Sequence, residues 1–161
     1  MMHNSVLLDT SFFIRLLNDE DPLHLNAKGY FKYFLENEII LKVSTITIAE
    51  YCVKGTLEDL PLKNIQIMPF NLDQAQRTGE FARIIFNESK SIEEKITPRA
   101  IIPNDSKLFS QADLDDTITH FVTSDSRSKK TYSILKRSTQ TRFDIMDISI
   151  PYHQTFGILD L

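Results

Sequence analysis

The chain reads as an α/β protein with a central parallel sheet flanked by helices on both faces, organised as one domain over residues 1–161 with a core of about 5–148 and a C-terminal tail over 149–161. Three observations predict this. Short apolar runs alternate with longer segments of helical period, the pattern of strand–helix–strand units. An apolar fraction of 42% with 25% charged residues is ordinary for a soluble globular protein, and 161 residues suffice to bury a core without staples. Four glycines in the whole chain argue against glycine-rich phosphate loops and tightly turned all-β architectures.

The elements follow in order. Ser5–Leu8 is a short apolar run that predicts a buried first strand ending at Asp9. Thr10 to Leu17 places Phe13, Ile14 and Leu17 on one helical face, and the polar stretch from Asn18 to Pro22 ends that helix. A second helix is predicted from Leu25 to Glu36, with Tyr30, Phe31, Phe34 and Leu35 as its apolar stripe, followed by a strand over Ile39–Val43. Ser44 to Thr47 opens the helix carrying Glu50, which finishes at Gly55. Asn64–Met68 is the next strand, stopped at Pro69. Asp73 to about Ile92 is the longest helical pattern, with Ala75, Phe81, Ile84 and Ile85 inward. Glu93 to Pro103 is charged and broken by Pro98 and Pro103, hence a loop. Asp105–Asp116 reads as a helix, Ile118–Thr123 as a strand, the segment to about Lys136 as a basic helix, Phe143–Ile148 as the last strand, and Pro151 onward as tail.

The lone cysteine, Cys52, excludes an intramolecular disulfide framework and sits in a half-apolar helical context that predicts a small core residue. No basic leader with an apolar run opens the sequence, and nothing approaches the roughly 18 consecutive apolar residues of a membrane span, so a cytoplasmic protein with no membrane partner is expected. The four histidines show no metal-ligand spacing. The net charge of −4 conceals an asymmetry: residues 126–142 hold Arg127, Lys129, Lys130, Lys136, Arg137 and Arg142 with no acid. The rest of the chain sets 12 basic against 22 acidic residues, a balance of −10. The basic stretch would attract a polyanion; a solvated helix face explains it equally well.

Four acids, Asp9, Glu50, Asp105 and Asp125, each fall where a predicted strand gives way to a helix or a helix opens. In a parallel sheet the carboxyl ends of all strands lie on one edge, and ligands bind there. Carboxylates gathered at one edge repel each other unless a cation neutralises them, and hard oxygen donors suit Mg²⁺ or Mn²⁺. Each acid also has a local explanation. Thr47-Ile48-Ala49-Glu50 matches a capping box, Asp105 is a favourable N-cap or first-turn residue, and Asp9 and Asp125 can each cap the helix that follows. Asp9, directly after an apolar strand, is the least easily explained as a cap alone. The case for a metal site rests on the four together.

These residues resemble the motifs of PIN-domain nucleases. VLLDTSFFIRLL is similar to that family's first strand, first acid and following helix, and VSTITIAEYCVKG to its second acidic motif, with Glu50 in the acid position. IMPFNLDQAQRTGEFARI resembles the strand, proline and long helix of its middle region. NDSKLFSQA and HFVTSDSR resemble the third and fourth acidic motifs, contributing Asp105 and Asp125. The order is kept from about Val6 to Ile148. The chain departs from the pattern in having Ser126-Arg127 where an aromatic residue commonly follows the fourth acid, in extra residues near 87–103, and in its tail.

The resemblance implies a PIN-like fold and a Mg²⁺- or Mn²⁺-dependent endoribonuclease, the toxin of a VapC-type toxin–antitoxin pair, with Asp9, Glu50, Asp105 and Asp125 as catalytic and metal-binding residues. It implies supporting hydroxyls at Ser11 and Thr123, a cognate antitoxin, and a homodimer, for which the stripe Tyr30, Phe31 and Phe34 could serve, though core packing explains that stripe equally well. On that reading the basic stretch, with Arg127, Lys129 and Lys130, would hold the RNA backbone, and Arg15 is a second candidate phosphate contact. A PIN-like module that binds RNA or protein with weak or no catalysis is the alternative. Phosphoryl transfer through an aspartyl-phosphate fits poorly: Ser11 stands where a dehalogenase-type site needs its second Asp, and no acid follows the strand ending at Met68.

Overall fold

A computed structural model describes residues 4–89 and 104–159 of the chain. The strands are β1 (Ser5–Leu8), β2 (Ile40–Ser44), β3 (Ile65–Met68), β4 (Ile118–Thr123) and β5 (Asp144–Asp147). The helices are α1 (Thr10–Leu16), α2 (His24–Glu36), α3 (Thr45–Tyr51), α4 (Leu72–Ser89), α5 (Asn104–Leu114), α6 (Ser126–Ser138) and α7 (Tyr152–Thr155). All strand pairs are parallel, and the sheet runs β3-β2-β1-β4-β5. The chain therefore lays strands outward from β1 on one side and then restarts on the other, so the order reverses between β1 and β4. Such a switch point leaves a crevice at the strands' carboxyl ends, because the helices leaving β1 and β4 diverge to opposite faces.

Alternation along β1 sets the two layers. Val6 and Leu8 point into a core with Phe12 and Phe13 of α1 and Ala27, Tyr30 and Phe34 of α2. Leu7 points the other way, toward Phe81 and Ile85 of α4, Leu108 and Phe109 of α5, and Tyr132 and Leu135 of α6. This period-two division buries both faces of the sheet, as the continuous apolar strands require. Phe109 sits edge-on to Phe121 and Tyr132 at ring separations of 5.3 and 5.9 Å, which pins α5 and α6 together against β4.

Several expectations are corrected. In α1 it is Phe12 and Phe13 that are buried; Ile14 and Leu17 are exposed. Of the two readings open for the α2 stripe, core packing holds for Tyr30 and Phe34, which are wholly buried, while Leu35 is exposed. Ala75 faces solvent, and α4 meets α5 through a polar seam instead: Thr78 Oγ1 and Ser110 Oγ lie 2.8 Å apart, and Gln111 Nε2 donates to Gln74 Oε1 at 3.1 Å. Cys52 is exposed, just past the end of α3. The predicted end of the long helix near Ile92 and the loop over 93–103 lie outside the described residues.

The segment after Ile148 is packed rather than loose. Tyr30 Oη donates to the Ile150 carbonyl at 2.6 Å, Asn26 Nδ2 donates to the Ile148 carbonyl, and Phe156 stacks on Tyr33 with ring centroids 3.8 Å apart. Aromatic residues on α2 and α7 thus seal the edge of the first core. No helix among the described residues is long and apolar enough to cross a membrane.

Candidate functional site

The crevice between β1 and β4 is built by hydroxyls that hold an acid. Asp9 follows β1, is 6% exposed, and its backbone N–H donates to the Val122 carbonyl of the neighbouring strand. Its Oδ1 accepts from Thr10 N, capping α1, while Oδ2 accepts from Ser11 Oγ at 2.8 Å and Thr123 Oγ1 at 2.7 Å. Ser11 also accepts the Ser124 N–H, and Thr123 accepts the Asp125 N–H. Both predicted supporting hydroxyls therefore lie at Asp9 and tie it to the β4–α6 turn.

Asp125 caps α6, its Oδ1 accepting from Arg127 N at 2.8 Å. Asp105 lies in the first turn of α5, and its Oδ1 accepts from Ser128 Oγ of α6 at 2.9 Å rather than from its own backbone. Glu50 is not a capping residue. Helix α3 begins at Thr45 and is capped by Ser44, whose Oγ accepts from Ile46 N, so Glu50 occupies the last turn. The side chains of Asn104 and Thr10 stand near enough to Glu50 to lower its pKa, but Glu50 Oε1 and Thr10 Oγ1 are both buried and neither has a partner at hydrogen-bond geometry. The capping readings thus hold for Asp9 and Asp125 and fail for Glu50.

The four acids feel one another. Burial is the main cause that raises the Asp9 carboxyl above the usual range; hydrogen bonds from Thr123, Ser11 and Thr10 oppose it, and the Asp125 charge adds to it. Glu50 is raised by burial, with the charges of Asp9 and Asp105 adding and Asn104 opposing. Asp105 is pushed up to about 6, by burial first, against the Ser128 hydrogen bond, with Asp9 and Asp125 raising it further. Asp9 and Asp105 therefore each stand near enough to Glu50 and to Asp125 for one charge to act on another. Their oxygens do not converge fully: among the described residues no three carboxylate, imidazole or thiol groups stand at metal-ligand spacing.

The predicted cations divide into two groups. Lys129 is engaged by Asp147 at 2.7 Å, and Lys136 by Asp144 at 2.7 Å. Arg15 donates from Nη1 to Asp21 at 2.7 Å and from Nε to Ser124 Oγ at 3.4 Å, which sets its guanidinium beside the β4–α6 turn. Arg127 and Lys130 are exposed on α6 and, among the described residues, form no ion pair. Arg127 lies near enough to Asp105 to lower its pKa.

Sequence reading passed over three participants. Asp147 ends β5 at the same edge, in register with Thr123, but Lys129 neutralises it. Ser128 donates to Asp105, and Asn104 stands near enough to Glu50 to lower its pKa. Their sequence signal was weak, since Asn before Asp and Ser in a first helical turn suit ordinary caps. Between α1 and the end of α3 opens a groove of about 900 Å³ whose lining includes Thr10, Ile14, Leu17, Glu50, Tyr51 and Val53.

No protein-family profile matches the chain, and no curated protein matches it in sequence. Solved structures do match in fold. A chain of the VapBC2 complex from Rickettsia felis, bound to a DNA fragment from its promoter, superposes with a TM-score of 0.54 at 15% identity, covering 89% of this chain and 98% of that one. VapC20 of Mycobacterium tuberculosis, a toxin that cleaves the sarcin–ricin loop, superposes with a TM-score of 0.52 at 15% identity over 78% of this chain and 93% of its own. A chain of DNA-bound VapBC from Salmonella typhimurium gives 0.52 at 15% identity over 91% and 99%. At such identity the likeness concerns architecture: this chain has the α/β fold of the VapC PIN-domain proteins.

Proposed function

We propose that the protein is a Mg²⁺- or Mn²⁺-dependent endoribonuclease that hydrolyses RNA phosphodiester bonds and acts as the toxin of a toxin–antitoxin pair. The observation that supports this reading is that Asp9, Asp105 and Asp125 stand at the β1/β4 switch point, with Glu50 near enough to feel Asp9 and Asp105, and that burial raises the carboxyls of Asp9, Glu50 and Asp105. The chemistry of the donors, though not their present spacing, suits a hard divalent cation. All four donors are carboxylates, and Glu50 Oε1 is a buried oxygen without a partner. Asp9, Asp105 and Asp125 would hold one or two ions, with Glu50 completing the set; the carboxylates must draw together to do so, because their oxygens stand apart. A bound ion of this kind activates water as a nucleophile near neutral pH and neutralises charge building on the phosphate.

The chain's own residues do the rest. Ser11 and Thr123 fix Asp9 in one orientation, and Ser128 fixes Asp105. Arg127 and Lys130 hold the RNA backbone through its phosphates, and Arg15 flanks the turn that carries Asp125. Lys129 is withdrawn from that role by Asp147. The partner is an antitoxin protein, for which the groove beside Glu50 offers Ile14, Leu17 and Val53, and the active form is a cytoplasmic homodimer whose contacts lie outside the buried Tyr30 and Phe34.

The separation of the acidic oxygens favours a second reading, a PIN-like module that binds RNA or protein without cutting it. One experiment decides: cleavage of RNA by the wild-type chain and by Asp9→Asn, with Mg²⁺ and with EDTA. Cleavage that needs the metal and disappears in the variant, whose circular dichroism is unchanged, supports the nuclease. Cleavage undiminished in Asp9→Asn overturns the site, and RNA binding without cleavage in the wild type supports the module.

A further inference from the structure

We infer that Ser128 is a positioning residue for the metal-binding carboxylate of Asp105. The inference rests on the metal-dependent reading of the acidic crevice. Ser128 is wholly buried on the inner face of α6, next to Tyr132 and Leu135, and its Oγ donates to Asp105 Oδ1 at 2.9 Å across the gap between two helices.

The local sequence explains why this serine is free to reach outward. It is the third helical residue after the Asp125 cap, the place from which a Glu or Gln would turn back to the cap's own N–H but from which a serine is too short to do so. Here that N–H is already taken by Thr123 Oγ1 at 3.0 Å. The Ser128 hydroxyl is therefore available to α5 and ties Asp105 to the helix that Asp125 caps. Because the donor is neutral, it fixes one oxygen of Asp105 and leaves the negative charge for a cation, with Oδ2 unengaged by any hydrogen bond found among the described residues. Partners of this kind orient metal ligands, and their loss typically weakens metal affinity about 10- to 100-fold.

The full chain is titrated with Mn²⁺ alone, without RNA, by calorimetry and by electron paramagnetic resonance of the free ion. Three variants accompany the wild type: Ser128→Ala, Asp9→Asn, and Ser110→Ala. Ser110 is equally buried, lies on the same helix as Asp105, and among the described residues bonds to Thr78, Gln74 and Lys107, none of them an acid of the crevice, so it reports general loosening of α5. The expected result is Mn²⁺ binding weakened about tenfold in Ser128→Ala and unchanged in Ser110→Ala. Wild-type affinity in Ser128→Ala, or equal losses in the two serine variants, overturns the positioning role. If Asp9→Asn binds Mn²⁺ as the wild type does, the metal reading itself fails, and that outcome is distinct from a failure at Ser128 alone.

Discussion

Thr123 Oγ1 donates to Asp9 Oδ2 across 2.7 Å, joining the last residue of β4 to the first residue beyond β1. The same oxygen accepts the Asp125 N–H, so a single hydroxyl spans the switch point and sets the spacing of two acids. Thr123→Val keeps the shape and removes both bonds. A buried carboxylate and a backbone N–H then lose a partner, a cost of about 1–3 kcal/mol. Urea denaturation of the variant should show that loss, and Mg²⁺-dependent cleavage should fall with it. A variant as stable and as active as the wild type would show that the hydroxyl bridge has no part in the site.

The sheet and its order of elements were legible because five apolar runs are separated by helical periods, and the positions of Asp9, Asp105 and Asp125 because each follows such a run or opens a helix. Glu50 shows where local pattern misleads. Thr47-Ile48-Ala49-Glu50 has the letters of a capping box, but Ser44 had already capped the helix. The α1 face was misjudged for a related reason. Phe12 and Phe13 meet the core, whereas Ile14 and Leu17 wall a groove, and periodicity alone does not tell a core stripe from a groove stripe. Lys129 illustrates what sequence omits altogether. Its pairing with Asp147 depends on β5 lying beside β4, a contact between residues far from any shared motif.

Asp105 makes the metal-free protein sensitive to pH. Its folded pKa stands near 6 against an ordinary 3.8, so between those values the folded state holds a proton that the unfolded chain has lost. Stability therefore falls as pH rises through this window, and the deficit is complete above it. Asp105→Asn removes the deficit while keeping an acceptor for Ser128. In EDTA at neutral pH the variant should be the more stable, by at most about 3 kcal/mol. Added Mg²⁺ should stabilise the wild type and narrow the difference. Denaturation midpoints across pH 4–8 measure it, and a variant less stable than wild type throughout would contradict the burial cost assigned to Asp105.

The two neighbouring lysines of α6 should behave differently. Lys129 Nζ contacts Asp147 Oδ2 at 2.7 Å, whereas Lys130 is exposed and, among the described residues, unpaired. Lys130→Ala and Arg127→Ala should each weaken RNA binding and shallow its dependence on log salt by about one phosphate contact. Lys129→Ala should leave the salt slope nearly unchanged and, by exposing Asp147 uncompensated, lower stability by about 1 kcal/mol or less. Filter binding at several salt concentrations, with the metal chelated to prevent cleavage, separates the cases. Equal slopes for Lys129→Ala and Lys130→Ala would place the RNA on the wrong side of the helix.

Gly29 reports on the packing of α7. A Cβ built there would stand 2.5 and 2.9 Å from ring atoms of Tyr152, too close to be accommodated without moving the ring. Within α2, Gly→Ala should otherwise gain about 1 kcal/mol of helix propensity. The clash outweighs this, since Tyr152 belongs to the aromatic group that includes Tyr30, Tyr33 and Phe156, and overpacking of this kind costs about 1–3 kcal/mol. Gly29→Ala is therefore expected to destabilise the wild type slightly. In a Tyr152→Ala background the same change should instead stabilise, because the helix preference remains and the ring is gone. A reversal of sign between the two backgrounds, measured by thermal denaturation, identifies the α2–α7 contact as the cause; the same sign in both would mean that α7 shifts aside freely and contributes little to holding the end of β5.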